Sequence, residues 1–224
     1  PIFNLEIRLF YKHRGIEKLA EGKSPSACVP IAEAISGDET VANAVAFCTA
    51  VEKIAGIEIP TRASYLRAIL LELERIYSHI GDLSGMITDI GFPRMTTPFL
   101  ILRENIFRQN ELLTGSRFMK GAIDLGGIKT DISGEVLSKL SRYLETFASK
   151  FESAVAAVRA SSSLIDRFST TGILKKKLIA PLNLTGPIAR ASGVPYDIRL
   201  DHPYGIYRTR SPKKNIRNAG DVLS

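Results

Sequence analysis

Residues 61–83, TRASYLRAILLELERIYSHIGDL, carry the most regular hydrophobic pattern of the chain and decide its fold class. Large apolar side chains recur every three or four residues, which is the spacing of one face of an α-helix. They are Leu66, Ile69, Leu70, Leu73, Ile76, Tyr77, Ile80 and Leu83. Pro60 stands at the predicted first turn, where the N–H that proline lacks has no helical partner. The pattern therefore predicts a long helix that buries one side against other helices.

The segments on either side also have helical patterns. Asp38 is a candidate N-cap for a helix that runs to about Ala55 and is stopped by Gly56. Further long helices are predicted over residues 97–122 and 133–168, the second with an apolar spacing close to a coiled-coil seam. Short helices are expected before Gly22 and after Ser24-Pro25.

Both ends of the chain have a different character. IFNLEIRLF, residues 2–10, alternates apolar and polar side chains as a strand does, and the last fifty residues indicate loops and short strands. The stretch DLGGIKTD, residues 124–131, lacks the glycine spacing of a phosphate-binding loop and is predicted to be a turn. The predicted fold class is mainly α, a bundle of long helices with small β elements near both ends.

The 224 residues, with 45% hydrophobic and 24% charged side chains, fit a globular domain. We predict a single domain over residues 1–224, cut from a longer protein. It divides into a strand and short helix (1–22), a helical core (23–170) and a loop and β segment (171–224). No run approaches the ~18 apolar residues of a membrane span.

The net charge of +7 is concentrated in two late, loop-like stretches, Lys175–Lys177 and Tyr207–Arg217. A solvated face or a surface for an acidic partner subunit is the favoured interpretation. Nucleic acid is not expected as a partner, because no recognition-helix or aromatic pattern accompanies the charge. Cys28 and Cys48 have no disulfide or metal spacing, and they are expected to be small buried residues of a reducing compartment.

Several charged groups could carry chemistry. Arg14 and Glu17 flank Gly15 in HRGIEK, either as a proton-carrying site in a tight turn or as a charge pair at a helix start. In the predicted helix of residues 61–83, Arg67 and Glu74 lie on a mostly apolar side, which favours a buried polar network. Glu72, Arg75 and His79 share one face, as a buried network or as surface ion pairs.

The tail is also dense in charge. Between glycines and prolines it carries Arg190, Asp197, Arg199, Asp201 and His202. Charge and turn residues combined in a loop suit a site or a docking surface.

Six stretches together resemble one family. They are LFYKHRGIEKLAEGK (9–23), AVEKIAGIEIPTRASYLRAILLELERIYSHIGDL (50–83), LREN (102–105), LLTGSR (112–117), DLGGI (124–128) and LTGPIARASGVPYDIRLDHPY (184–204). The sequence is similar to large subunits of energy-converting nickel–iron hydrogenases, a family that includes the 49-kilodalton-type (D-type) subunit of respiratory complex I. Residues 9–23 are closer in sequence to the hydrogenase branch.

The resemblance implies a helical peripheral-arm subunit on the cytoplasmic side of the inner (plasma) membrane. Its partners would be a small iron–sulfur subunit, of the B-type found in complex I, and membrane-arm subunits. The chain alone would be inactive and could form a homodimer that covers its partner-facing surface. The iron–sulfur cluster would belong to the partner, and no cofactor would be bound by this chain.

The same resemblance explains the stretch SGDETVAN, residues 36–43. Hydrogenases have a nickel-binding CGxCGxxH motif here, and Ser36, Glu39 and Asn43 stand at its cysteine and histidine positions. Nickel in this family needs soft thiolate ligands, which serine and a lone carboxylate do not replace. We therefore expect no metal and no nickel–iron catalysis.

In complex I the corresponding cavity receives quinone. The resemblance places Arg14 and Glu17 in that cavity as candidate catalytic groups, together with Asp89. Ile31 stands where complex I has its quinone-binding tyrosine. The residues predicted around a quinone or similar substrate are Ile31, Glu33, Ser36, Glu39, Asn43, Arg190, Asp197 and Arg199.

Two functions remain. The chain could form a quinone- or proton-handling cavity in an NADH:quinone oxidoreductase or hydrogenase-related complex. Alternatively, it could be a non-catalytic scaffold subunit with a degenerate cavity. Retained charges favour the first, because unpaired buried charge is costly. Ile31 and the missing cysteines favour the second.

Overall fold

A computed structural model describes residues 3–224 of the chain, and within them the protein is mainly α-helical, as predicted. The α-helices are α1 (Ile16–Ala20), α2 (Pro25–Glu33), α3 (Thr40–Ala55), α4 (Thr61–Asp89), α5 (Pro93–Thr114), α6 (Gly134–Ala160), α7 (Ser162–Phe168), α8 (Gly186–Ala191) and α9 (Ile198–Asp201). Strands β1 (Ile123–Asp124) and β2 (Gly127–Ile128) form an antiparallel hairpin, and short 3-10 turns lie at Lys176–Leu178 and Gly205–Arg208.

Helix α4 is the centre of the bundle, as its apolar pattern predicts. It packs along α5 and also contacts α3, β2 and the 3-10 turn at Gly205–Arg208. Its inward side chains are buried: Leu66, Leu70, Leu73, Tyr77, Ile80 and Ile87. The Tyr77 ring lies 4.8 Å from the Phe107 ring of α5. Tertiary packing of this face, rather than helix propensity alone, stabilises such a helix.

The helix ends follow local chemistry. The short helix predicted after Ser24-Pro25 is α2, which Ser24 caps with its hydroxyl. Gly56 ends α3 in the left-handed conformation, as predicted. The predicted helix over 97–122 instead runs from Pro93 to Thr114, because Gly115 adopts φ 75° and stops it. The predicted helix over 133–168 is interrupted at Ser161, whose extended backbone separates α6 from α7.

The β elements lie elsewhere than predicted. Residues 3–10 form no strand, while the first two residues of the chain lie outside those described. The apolar side chains of Leu5, Ile7 and Leu9 are exposed there, since no other described segment pairs with this backbone. The tail forms short helices and turns rather than strands. The small sheet lies instead at residues 123–128, where the sequence predicted only a turn.

Among residues 3–224, no helix has the length and apolar content that crossing a membrane would require.

Candidate functional site

The stretch SGDETVAN leads into the first turn of α3, and this turn is held by a carboxylate of α4. Glu74 accepts hydrogen bonds from the backbone N–H of Val41 at 2.7 Å and of Ala42 at 2.8 Å. The Tyr77 hydroxyl donates to the Asp38 carbonyl at 2.6 Å. The N-terminus of a helix carries partial positive charge, so a carboxylate is well placed there. Asp38 is therefore not the N-cap that the sequence predicted, because the cap comes from Glu74.

Burial changes the acidity of this carboxyl group. Glu74 is 3% exposed, and its loss of hydration raises its pKa to about 7, against the lowering effect of the bonds from Val41 and Ala42. The group that anchors α3 therefore changes charge near neutral pH.

The three positions matched to the nickel motif do not form a ligand set. Ser36 is half-buried and Glu39 is exposed, whereas the Asn43 amide donates to the Glu39 carbonyl at 2.7 Å. Cys28 and Cys48 are free and buried. Across residues 3–224, no group of three or more histidine, cysteine, aspartate or glutamate side chains could hold a metal ion. Residues 36–43 contain no cysteine and so lack the thiolates that the resemblance to hydrogenases implies for a nickel site.

Arg14, Gly15 and Glu17 form an Arg-Gly-x-Glu (RGxE) motif that lies just before α2 in the chain. The Arg14 guanidinium donates to the Ile35 carbonyl just after this helix, and Gly15 adopts φ 63°, a conformation suited to glycine. Glu17 is exposed in the first turn of α1, and Ile31 is half-buried in α2. The structure thus brings Arg14 to the start of the 36–43 stretch.

Glu33 has a structural contact. Its buried carboxylate accepts from the Gly121 N–H at 2.8 Å and so ties α2 to the loop that precedes the hairpin. Burial raises its pKa. Asp89 lies elsewhere, as the exposed last residue of α4. It is fifteen residues beyond Glu74, or about 22 Å along the helix axis, so the structure does not bring it to the start of α3.

The tail residues Arg190, Asp197 and Arg199 do come together, and they dock onto α4. Arg199 pairs with Asp197 at 2.9 Å and with Glu72 at 2.9 Å, while Arg190 lies 3.8 Å from Asp197. The Arg199 guanidinium lowers the pKa of Asp197 to about 2. Tyr207 donates its hydroxyl hydrogen to Glu72. Glu72 therefore belongs to a partly buried network that fixes the tail, beyond its 3.4 Å pair with Arg75.

An apolar groove of about 430 Å³ lies between α3 and the docked tail, and none of the residues predicted as catalytic or quinone-binding lines it. Its α3 wall includes Ala42, whose N–H is bound by Glu74, together with Val45 and Ala46. Ile198 and Tyr204 of the tail line it as well. The stretch SGDETVAN, through Ala42, and the docked tail, through Ile198 and Tyr204, thus border one groove, which we call the α3 groove.

The sequence analysis missed the partner of Arg67. Arg67 forms a bidentate pair with Glu52 of α3 at 2.6 and 3.0 Å, and both side chains are about 95% buried. The same guanidinium donates to the carbonyls of Gly127 and Asp124, and Glu52 accepts from the Gly126 N–H. The available signal was the position of Glu52, four residues after buried Cys48 on the apolar side of α3.

The motifs LREN and LLTGSR are also joined. Glu104 of the first accepts from Arg117 of the second at 2.6 and 3.0 Å, which clamps the loop after α5. Arg103 and Arg117 each lie 5.1 Å from the Phe107 ring centroid. These motif residues therefore hold the bundle together rather than line the α3 groove.

Removal of the Arg199 side chain is expected to loosen the tail. Asp197 is 4% exposed; its only remaining ion pair would be the longer one with Arg190, beside the hydrogen bond from the backbone N–H of residue 199. In Arg199→Ala, hydrogen exchange of the backbone amides in residues 197–207 should accelerate by about tenfold or more, equivalent to ~1.4 kcal/mol. Lys214→Ala, which removes a more exposed pair with Asp201, is the matched control and should change exchange little. Equal exchange in both variants would contradict the docking role.

Comparison with known proteins agrees with these motifs. Residues 89–224 match the family described as respiratory-chain NADH dehydrogenase, 49 Kd subunit, and residues 14–82 match the nickel-dependent hydrogenase family. Among similar proteins, a D-type subunit of the NADH-quinone oxidoreductase of Chloroherpeton thalassium is 38% identical over 89% of this chain and 45% of its own length. The D-type subunits of Dehalococcoides mccartyi (strain ATCC BAA-2266) and Clostridium beijerinckii are 36% and 33% identical, over 92% and 98% of this chain and 56% and 60% of theirs.

The chain is therefore a helical protein that matches the nickel-dependent hydrogenase family in its first part and the respiratory-chain NADH dehydrogenase family in the rest. The chain spans about half the length of the curated relatives it matches. The 49 Kd match covers more than half of the chain, so the chain belongs to the family of the 49 Kd subunit of the respiratory-chain NADH dehydrogenase. This confirms the family predicted from the motifs.

Proposed function

We propose that the chain is part of a subunit of a membrane-associated oxidoreductase complex of the NADH:quinone oxidoreductase type. The observation that carries this proposal is its membership of the 49 Kd family, together with relatives named as D-type subunits of NADH-quinone oxidoreductase. In this function the chain contributes no nickel–iron centre. Supporting this, the positions of a hydrogenase's first thiolate pair hold Ser36 and Glu39.

In the finer form of the proposal, the chain contributes to a quinone- or proton-handling cavity beside an iron–sulfur partner subunit. Glu17 would carry protons, with Arg14 placing the RGxE turn beside residues 36–43 through its bond to the Ile35 carbonyl. Asp89, far along α4, would act only at another part of such a cavity. The cluster would reside in the partner, and the complex would sit on membrane-arm subunits at the cytoplasmic side of the membrane.

A second candidate is a non-catalytic scaffold in the same complex. Two observations favour it: Ile31 lacks the hydroxyl of the family's quinone-binding tyrosine, and Glu74 already binds the N–H groups at the start of α3. A scaffold would retain partner binding without binding quinone.

Quinone-analogue binding separates the two functions. The full-length protein, purified with its iron–sulfur partner, is expected to bind a short-chain ubiquinone analogue. When a chemical reductant supplies two electrons through the partner's cluster, the quinone takes up two protons as it becomes the quinol, and Glu17→Gln is expected to slow that proton uptake. Glu145→Gln, an exposed carboxylate of α6, is the matched control and should keep that uptake. Absence of analogue binding to the unaltered complex would favour the scaffold.

Metal analysis of the same preparation tests the proposal that this chain contributes no nickel–iron centre. Nickel is expected far below one atom per chain, with iron accounted for by the partner's cluster, because residues 36–43 offer no thiolate. Stoichiometric nickel bound by this protein would overturn that interpretation.

A further inference from the structure

A second cavity, of about 280 Å³, lies toward the C-terminal end of α3. Its walls come from α3, the first turns of α4, the loop that joins these helices, and the 3-10 turn at Gly205–Arg208. Ile57 and Ile59 of the joining loop give it an apolar side. We call it the Lys53 cavity, after the cation at its α3 wall. None of the residues predicted as catalytic or quinone-binding from the resemblance lines it.

The ionised groups of the Lys53 cavity leave an excess of positive charge. Arg67 and Glu52 line the cavity but neutralise each other at 2.6 Å. Lys53 and Arg208 also line it, and within residues 3–224 neither has a carboxylate within 4.0 Å. Two cations without an acidic partner at one concave site attract an anion, and charge-assisted hydrogen bonds to it would be the strong ones.

Hydroxyl groups add hydrogen-bonding capacity beside these cations. Thr49, Ser64 and Tyr204 line the cavity, and their side chains make no hydrogen bond to any other described residue. A concave, largely apolar wall with a few convergent polar groups is the usual construction of a small-molecule site.

The Lys53 cavity is continuous with the α3 groove. Val45, Thr49, Lys53, Leu71 and Tyr204 line both spaces. From these shared walls the groove continues toward Ala42 and Ile198, and its lining there is apolar. In the combined site, Arg208 and Ser64 line only the Lys53 cavity, Lys53, Thr49 and Tyr204 stand on the shared walls, and the part of the groove toward Ala42 and Ile198 is apolar.

We propose that this combined site binds an anionic amphiphile, with its acidic head between Lys53 and Arg208 and its hydrocarbon tail along the α3 groove. A carboxylate accepts hydrogen bonds in two directions and can take them from a lysine and an arginine that line the same cavity. The proposal does not depend on quinone binding, because a quinone carries no net charge for the two cations to neutralise, whereas an acidic head group does.

The test measures binding of sodium decanoate, below its micelle concentration, to the full chain by isothermal titration calorimetry. Lys53→Gln combined with Arg208→Gln is expected to weaken binding about tenfold or more. The matched control, Arg94→Gln combined with Lys150→Gln, removes two cations from a groove between α5 and α6 and should leave binding unchanged. Equal losses in both double variants would overturn the proposal, because they would indicate attraction to net charge alone.

Three further measurements test the groove, the cations and the alternative of a membrane surface as the ligand. Ala46→Phe, which fills the α3 groove and leaves the cations in place, is expected to weaken decanoate binding while the melting temperature is retained. Decanol should bind at least tenfold more weakly than decanoate, and equal binding would overturn the role of the cations. Binding to phosphatidylglycerol vesicles without binding to decanoate would overturn the proposal of a small-molecule site, since a membrane surface would then be the ligand.

Discussion

Arg67→Ala is expected to lower the free energy of unfolding by about 3–5 kcal/mol, the largest effect of the substitutions proposed for this chain. The change leaves the Glu52 carboxylate buried without its cation, since both side chains are about 95% buried in the intact pair. It also removes the donors to the carbonyls of Gly127 and Asp124. Urea unfolding followed by circular dichroism measures the loss.

The matched control is Arg62→Ala, about one turn earlier on α4. Arg62 pairs with Asp131 at 2.8 Å, but both side chains are more than half exposed, so the loss should be below about 1 kcal/mol. Arg67→Lys is expected to recover only part of the stability, because lysine does not reproduce the bidentate contact and the two carbonyl contacts together. Similar losses for Arg62→Ala and Arg67→Ala would contradict the assigned role of burial.

Glu74→Gln is expected to flatten the dependence of stability on pH. Burial raises the folded-state pKa of Glu74 to about 7 from an ordinary 4.5, so the folded protein holds a proton that the unfolded chain releases. The resulting stability is fully present below pH 4.5 and is lost as pH rises through 7. The shift corresponds to about 3 kcal/mol between these limits. Glutamine does not titrate and lacks this component.

The measurement is urea unfolding of both proteins at about pH 5, 6, 7 and 8. The unaltered protein should lose roughly 2–3 kcal/mol more than Glu74→Gln between about pH 5 and pH 8. Glu33, whose pKa burial also raises, is present in both proteins and cancels in the comparison. Glu111→Gln, an exposed acid in α5, should keep the slope of the unaltered protein. Parallel pH profiles for the unaltered protein and Glu74→Gln would refute the raised pKa.

The helical core could be predicted because its signals are local. The spacing of Leu66, Leu70 and Leu73 requires only one helix and one buried side, and Gly56 ends α3 through its own backbone freedom. The strand predicted near Leu5 failed because alternation specifies a strand only when a second strand is present to pair with it. A tight hairpin at Gly126 and Gly127 carries too few residues for any alternation.

The part of the site that depends on residues close together in sequence could also be predicted. The tail charges lie close together in sequence, and the structure joins Arg190, Asp197 and Arg199. Their anchor, Glu72, is 127 residues from Arg199 along the chain, and no spacing rule connects residues so far apart. Buried Arg67 and Glu74 were expected to belong to one network, but the structure gives them separate partners, Glu52 and the start of α3. The assignment of catalytic residues remains a prediction.

The contacts of Arg67 limit where this chain could be joined to a related sequence in an engineered chimaera. The two family matches divide the sequence between residues 82 and 89, inside α4. Yet Arg67 and Glu52, on one side of that division, hold the backbone of Gly126 and Gly127 on the other. A recombination joint at this place would separate the ion pair from the hairpin it holds. Chimaeras made with hydrogenase sequences would therefore have to take the hairpin, α3 and α4 from the same parent sequence.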